Sequence, residues 1–107
     1  MNTEYINRVE MQGIIGSFRT FEVGARKGFQ FTLAVNDILK GQDGGAIIET
    51  MWCSCSGWES GKCDPSILEK GNRVHVNGRL KSHRYTNADG DERVVTEIIV
   101  HNMKRVD

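Results

Sequence analysis

Alternation with a period of two is the feature that most limits what this chain can become. In "GFQFTLAVN" the apolar Phe29, Phe31, Leu33 and Val35 alternate with Gln30, Thr32, Ala34 and Asn36. Only an extended strand sends successive side chains to opposite faces in this way. "VEMQGII" repeats the pattern, with Val9, Met11, Gly13 and Ile15 opposite Arg8, Glu10 and Gln12. Two strands of one sheet follow.

The stretch "NDILKGQDGGA" is rich in turn formers and reads as a loop of about ten residues, long for a compact domain. A third strand is expected from about Ile47 to Trp58. "CDPSILEK" then places Asp64 as an N-cap, Pro65 at the first helical position and Gly71 just past the end, which predicts one short helix. "NRVHVNGRLKSHRY", from Asn72 to Tyr85, and "ERVVTEIIVHNM", from Glu92 to Met103, are separated by "TNADGD". An Asp-Gly step between two alternating runs marks a hairpin. The tally is all-β, five strands with a short helix between the third and fourth. That is the order of the OB-fold, a five-stranded Greek-key barrel whose strand faces and loops bind oligonucleotides or oligosaccharides. No internal repeat or linker interrupts it, so residues 1–107 are expected to form a single OB domain.

Composition narrows the function classes. With 107 residues, 38% hydrophobic and 26% charged, the chain has the makeup of one small globular domain. No apolar run approaches the ~20 residues that span a bilayer, and "MNTEYINRVE" is too polar for a secretory signal, so a cytoplasmic protein with no membrane partner is expected. Three cysteines, an odd number, are read as reduced. Fourteen Lys and Arg balance fourteen Asp and Glu. Any polyanion must therefore be held by a local cluster of cations.

"TMWCSCSGWES", residues 50–60, asks whether its cysteines or its tryptophans carry the chemistry. Alternation puts Thr50, Trp52, Ser54, Ser56 and Trp58 on one face and Met51, Cys53, Cys55 and Gly57 on the other. With Met51 marking the core side, the cysteines are small buried apolar residues and the tryptophans point outward. Cys53, Cys55 and Cys63, with His75, His83 or His101, remain a minor metal alternative, since C-x-C on a straight strand lacks the usual C-x(2 to 4)-C knuckle. Two outward tryptophans separated by serines form either an oligomer interface or a platform for unpaired bases.

The fourth strand favours the second. Counting by twos gives Arg73, His75, Asn77, Arg79, Lys81, His83 and Tyr85 on one face, against Val74, Val76 and Leu80. A bulge at Gly78 would shift that parity for half the strand. Cations interleaved with aromatics beside a tryptophan face suit a groove that follows phosphates and stacks bases. The loop "VGARKG", with Arg19 and Phe21 ahead of it, could touch a phosphate backbone, but exposed Lys and Arg in a hairpin are usually just solvated, and Asp89 and Asp91 are explained by turn chemistry. No nucleotide fingerprint or nucleophile-and-base constellation occurs, so neither an enzyme nor a cofactor is expected.

"NRVEMQGIIG", "FQFTLAVN", the tryptophans of "MWCSCSGW", "LEKGNRVHVNGRL" and "YTNADGDERVVTEIIV" resemble, in order, successive blocks of the bacterial single-stranded DNA-binding protein family. The resemblance implies an OB-fold that wraps single-stranded DNA with little sequence preference in replication, recombination or repair. It also implies a homo-oligomer, a tetramer being favoured and a dimer the alternative. By position, Trp52, Trp58 and Tyr85 match base-stacking aromatics, and Lys70, Lys81 and Arg8 match basic backbone contacts. Arg79, Arg73, His83 and Arg84 complete the candidate DNA-binding set.

The departures are specific. A further family aromatic would fall near Leu39, a basic residue common between the third-strand aromatics is Ser54, and His83 stands where an arginine is frequent. The family's acidic, phenylalanine-tipped tail has no counterpart in "NMKRVD", so tail-mediated recruitment of replication proteins is not expected. A primosomal-type restart adaptor, or a protein-interaction OB module, is the alternative reading.

Overall fold

The computed structural model describes residues 4–107. Five strands, β1 (Val9–Val23), β2 (Arg26–Lys40), β3 (Ala46–Trp58), β4 (Arg73–Thr86) and β5 (Glu92–Arg105), close into a barrel in the order β1-β2-β3-β5-β4. All neighbours pair antiparallel except β3 and β5, which run parallel and pair only at Cys55 with Ile98 and Ser56 with Ile99. This is the expected five-stranded OB barrel.

The inward face is the one the alternation picks out. Phe29, Phe31 and Leu33 of β2 are buried together with Ile15, Cys55, Val74, Val76, Ile98, Val100 and Met103, while Val9, Met11, Val35 and Cys53 pack at the margin. Phe29 and Phe31 lie stacked, centroids 6.0 Å apart. Burial of side chains this size supplies most of the favourable free energy of such a small domain.

Four local readings need correction. β1 and β2 are not joined by a loop over "VGARKG"; they run to a two-residue turn, Gly24-Ala25, in which Gly24 takes φ 62°. A positive φ at the first central position suits a tight hairpin, and glycine adopts it without a Cβ clash. β1 is lengthened accordingly, and carries a bulge between Ile15 and Phe18. Two residues, Gly16 and Ser17, there oppose one on β2, so the face parity of β1 inverts beyond Ile15.

The ten-residue loop shrinks as well. β2 continues to Lys40 and β3 begins at Ala46, with Ile38 opposite Ile48 and Leu39 opposite Ile47. The turn is closed by Gly41 N–H donating to Gly45 O at 2.7 Å, and Asp43 accepting from Gly45 N–H at 2.9 Å. The glycines thus serve the turn alone, leaving the isoleucines free to pair. As a result Met51, expected to mark the core, is on the inward side but 50% exposed, because this hairpin projects beyond the barrel.

The short helix is a single 3₁₀ turn, Pro65–Ile67, whose N-cap Asp64 accepts from Ser66 N–H at 3.0 Å. Backbone bonds soon recapture the chain for the barrel: Ile15 N–H donates to Asn72 O and Gly71 N–H to Ile15 O, each at 2.9 Å. Finally, the β4–β5 register slips between Asn77 and Gly78, but the extra residue is His101 on β5, so β4 keeps its alternation.

The core assignment has a direct test. Phe29 has no exposed surface, so Phe29→Ala is expected to lower unfolding free energy by about 3–5 kcal/mol, while truncating the exposed Ile38 costs within about 0.5 kcal/mol. Urea denaturation of both variants measures the difference.

Candidate nucleic-acid interface

Outward residues of β1, β2 and β3 line up in cross-strand rows. One row is Phe21, Gly28 and Trp58; the next is Arg19, Gln30 and Ser56; the third reaches Ser17, Thr32 and Ser54. Trp52 opens the fourth, opposite Ala34. The two tryptophans therefore stand at the ends of a polar floor, six residues apart on one strand, roughly 20 Å at ~3.3 Å per residue.

Two outward glycines make room for aromatic rings: Trp52 reaches across β2 to Gly16 of β1, and Phe21 lies over Gly28 of β2. A Cβ at Gly16 would come within 2.5 Å of the Trp52 ring, so the bulge that places Gly16 outward also makes room for the indole. Trp52 is 61% exposed above it. At the other end a Cβ at Gly28 would strike the Phe21 ring at 2.5 Å. With that space empty, Phe21 and Trp58 meet edge to face across β2, centroids 5.9 Å apart and planes at 74°, a favoured aromatic geometry. The floor is held by hydrogen bonds: Arg19 Nε–H donates to Gln30 Oε1 at 2.8 Å, Ser17 N–H to Thr32 Oγ1 at 2.9 Å, and the hydroxyls of Ser17 and Thr32 are 3.1 Å apart.

The β4–β5 hairpin forms the second wall. Ser17, Arg19, Gln30, Thr32 and Ser54 line a groove of about 420 Å³ together with His83, Val95 and Glu97. Ser56 Oγ–H donates to Glu97 Oε2 at 3.2 Å, stitching the floor to this wall. Lys81 is paired across from Glu97, His83 from Val95 and Tyr85 from Arg93, so Lys81, His83 and Tyr85 share the face that closes the groove. Arg79 follows on the same side one step toward the barrel.

Of the ten residues expected from sequence, His83 lines the groove itself, while strand pairing and alternation put Trp52 and Trp58 on the outward face of β3 and Lys81, Tyr85 and Arg79 on the His83 face of β4. Arg84 is on neither face. It points to the opposite face of β4 and pairs with Glu92 at 3.3 Å, as strand alternation requires. Arg73 has the right parity but sits at the far end of β4 against Ile14 of β1, about 26 Å of strand from Lys81. Arg8, just before β1, and Lys70, beside the Gly71 that bonds to β1, are exposed outside this groove lining. His75 is taken up by Glu10, its Nε2 2.9 Å from Oε2.

The residues that sequence reasoning passed over are Phe21, Arg19 and Arg26. Arg26 holds its guanidinium 4.2 Å from the Trp58 ring centroid and Arg19 lies 5.4 Å over Phe21. The signal for them was the two-residue hairpin and the β1 bulge, which together turn these side chains outward.

The cysteines belong to the inward face. Burial pushes the Cys55 thiol up to about 12, with Cys53 and Glu97 adding to it, and burial also raises Cys53 and Cys63. A thiol so placed stays protonated near neutrality and is neither a ready nucleophile nor a ready metal ligand. Among the described residues no three His, Cys, Asp or Glu converge to hold a metal ion.

Comparison with known proteins agrees with this geometry. The sequence profile of the "Single-strand binding protein family" matches residues 6–106. The chain belongs to that family. It is 28% identical over 102 residues to the "Single-stranded DNA-binding protein" of Xylella fastidiosa, covering 92% of this chain and 62% of that protein. To "Single-stranded DNA-binding protein 1" of Streptococcus pyogenes it is 33% identical over 76 residues, covering 70% and 57%. It spans about six tenths of the length of these curated relatives. Among solved structures, the "Plasmodium falciparum SSB complex with ssDNA" superposes with a TM-score of 0.83 at 24% identity, covering all of both chains. The small single-stranded DNA-binding protein of Streptomyces coelicolor gives 0.75 at 17%, covering 92% of this chain and 93% of that one. At these identities the structural matches speak for the fold.

The raised Cys55 thiol carries a pH consequence. The folded state keeps a proton that the unfolded chain releases from about pH 9, so this contribution is intact below that pH and is lost as pH rises toward 12. Denaturant midpoints should fall from pH 9 upward, and Cys55→Ala should flatten that fall while lowering stability at neutral pH.

Proposed function

We propose that this protein binds single-stranded DNA with little sequence preference, as a binding protein and not as an enzyme. The observation that carries the reading is the surface itself: a groove with Trp52 and Trp58 at the ends of its floor, faced by Lys81, His83 and Tyr85. Bases of any kind offer a π-face to exposed aromatics, and stacking contributes about 1–3 kcal/mol per base. Phosphates then run along the cations. Glu97, fixed by Ser56 in mid-groove, repels phosphate, which directs bases and not backbone toward the floor between the tryptophans.

Family membership and the names of the two curated relatives described above support the same ligand. Protection of single strands in replication, recombination or repair belongs to this proposal, as do a single OB domain and self-association into a dimer or tetramer. Exposed Met51, Leu80 and Val94 on the inward side of the projecting hairpins give self-association apolar surface to cover. Among the described residues no helix is long and apolar enough to cross a membrane.

Tryptophan emission during titration with oligothymidylate tests the reading. Binding should quench emission and weaken with salt, because neutralised phosphates release counterions. Trp52→Ala should weaken binding by about 1–3 kcal/mol, the contribution of one stacked base. Binding unaltered by Trp52→Ala together with Trp58→Ala would overturn the assignment.

A further inference from the structure

Trp52 and Trp58 are not equivalent. Trp52 stands bare over Gly16, whereas Trp58 is already engaged from two sides: Phe21 meets it edge to face, and the Arg26 guanidinium lies 4.2 Å from its ring centroid. Arg19 repeats the arrangement on Phe21 at 5.4 Å. The result is a run of side chains, Arg19, Phe21, Trp58 and Arg26, in which each cation rests on an aromatic at the β1–β2 end of the groove.

A guanidinium stacked on a ring keeps its N–H donors directed outward in its own plane, so stacking does not consume its capacity to bind an anion. The ring also fixes a long side chain that would otherwise sample many rotamers, and less freedom is then lost when an oxyanion binds. Ion pairs among the described residues include His75 with Glu10, Arg84 with Glu92 and Arg93 with Asp91. Neither Arg26 nor Arg19 takes part in these. Glu22 and Lys27, the charged neighbours of this turn, pair across the hairpin on its other face, as alternation dictates. The outward face at this end is accordingly cationic, and no carboxylate from β1 or β2 shares it.

We propose that Arg26, held over the Trp58 ring, is a phosphate-binding residue of the groove, and that Trp58 acts on the nucleic acid partly as a positioning residue for it. The inference rests on the single-strand reading given above and extends it to the β1–β2 turn. The ligand chemistry is a phosphodiester of a strand whose bases lie toward the floor between the tryptophans, so that the backbone meets Arg26 after the last stacked base.

The test is a salt titration of oligothymidylate binding by the whole protein and by Arg26→Ala, Arg26→Lys, Trp58→Ala and Trp52→Ala, alone and combined with Arg26→Ala. For single strands each neutralised phosphate contributes about 0.7 to the slope of log K against log salt. Arg26→Ala should lower the slope by about that amount, and Arg26→Lys should restore the slope. Trp58→Ala should lose part of its effect once Arg26 is alanine, whereas Trp52→Ala should lose as much affinity in either background. An unchanged slope in Arg26→Ala overturns the proposal, as does full additivity of Arg26→Ala with Trp58→Ala. Failure of the unaltered protein to bind oligothymidylate at any salt overturns the single-strand reading itself, a result distinct from the first two. Because Arg26 is exposed, its variants should retain the far-UV spectrum and urea midpoint of the parent.

Discussion

The packing of Phe29, Phe31 and Leu33 against the far wall of the barrel fixes everything else. These three side chains settle which face of β2 points inward, and pairing transmits that choice to β1 and β3. A strand has a side-chain period of two, so a slip of one residue in β3 would bury Trp52 and Trp58 and expose Cys53 and Cys55. The groove is therefore as secure as the register, and the register is as secure as these few apolar contacts. Cys55, small and held protonated by burial, fits where a larger residue would crowd the rings.

Two glycines mediate between core and surface. Gly16 and Gly28 are outward positions on neighbouring strands, and each is vacant where an aromatic from another strand lies. An aromatic covering a glycine restores packing that the missing side chain forfeits, as Phe21 does from the adjacent β1 and Trp52 does from β3 across β2. In this protein the same arrangement tilts large rings over the surface and anchors them there. Charge is sorted by the same alternation. The chain is formally neutral, yet Lys81 and His83 face the groove while Arg84 and Glu92 neutralise each other behind it. Net charge was uninformative because the balance is struck between faces.

Much of this was legible in the sequence. The alternation in "GFQFTLAVN" and "TMWCSCSGWES" assigns the inward and outward faces of β2 and β3, and the structure agrees on facing, although Met51 is exposed and Cys53 only partly buried. What escaped was whatever depended on a break in periodicity. A bulge adds one residue without a distinctive composition, so Phe21 and Arg19 passed for solvated hairpin residues. The glycines of "GQDGGA" suggested a long loop because turn formers mark where a turn lies and not how many residues it uses. Arg84 entered the candidate set on its charge, although the alternation that selects Lys81 and His83 already turns it away. The helix signal at Asp64 and Pro65 was real but short, since Gly71 and Asn72 are committed to hydrogen bonds with β1. Lys70 and Arg8 matched by position and Arg73 by strand parity, criteria blind to which end of a barrel a strand terminus occupies.

The scant pairing between β3 and β5 has a mechanical meaning. Beyond Cys55–Ile98 and Ser56–Ile99 the two projecting hairpins share no backbone ladder, and the bond from Ser56 to Glu97 sits at the vertex where they part. The barrel is thus a hub from which two hairpins project at a common root. Between them the cleft is bridged by a side-chain hydrogen bond and not by a sheet, so changing its width would break no ladder beyond those two pairs.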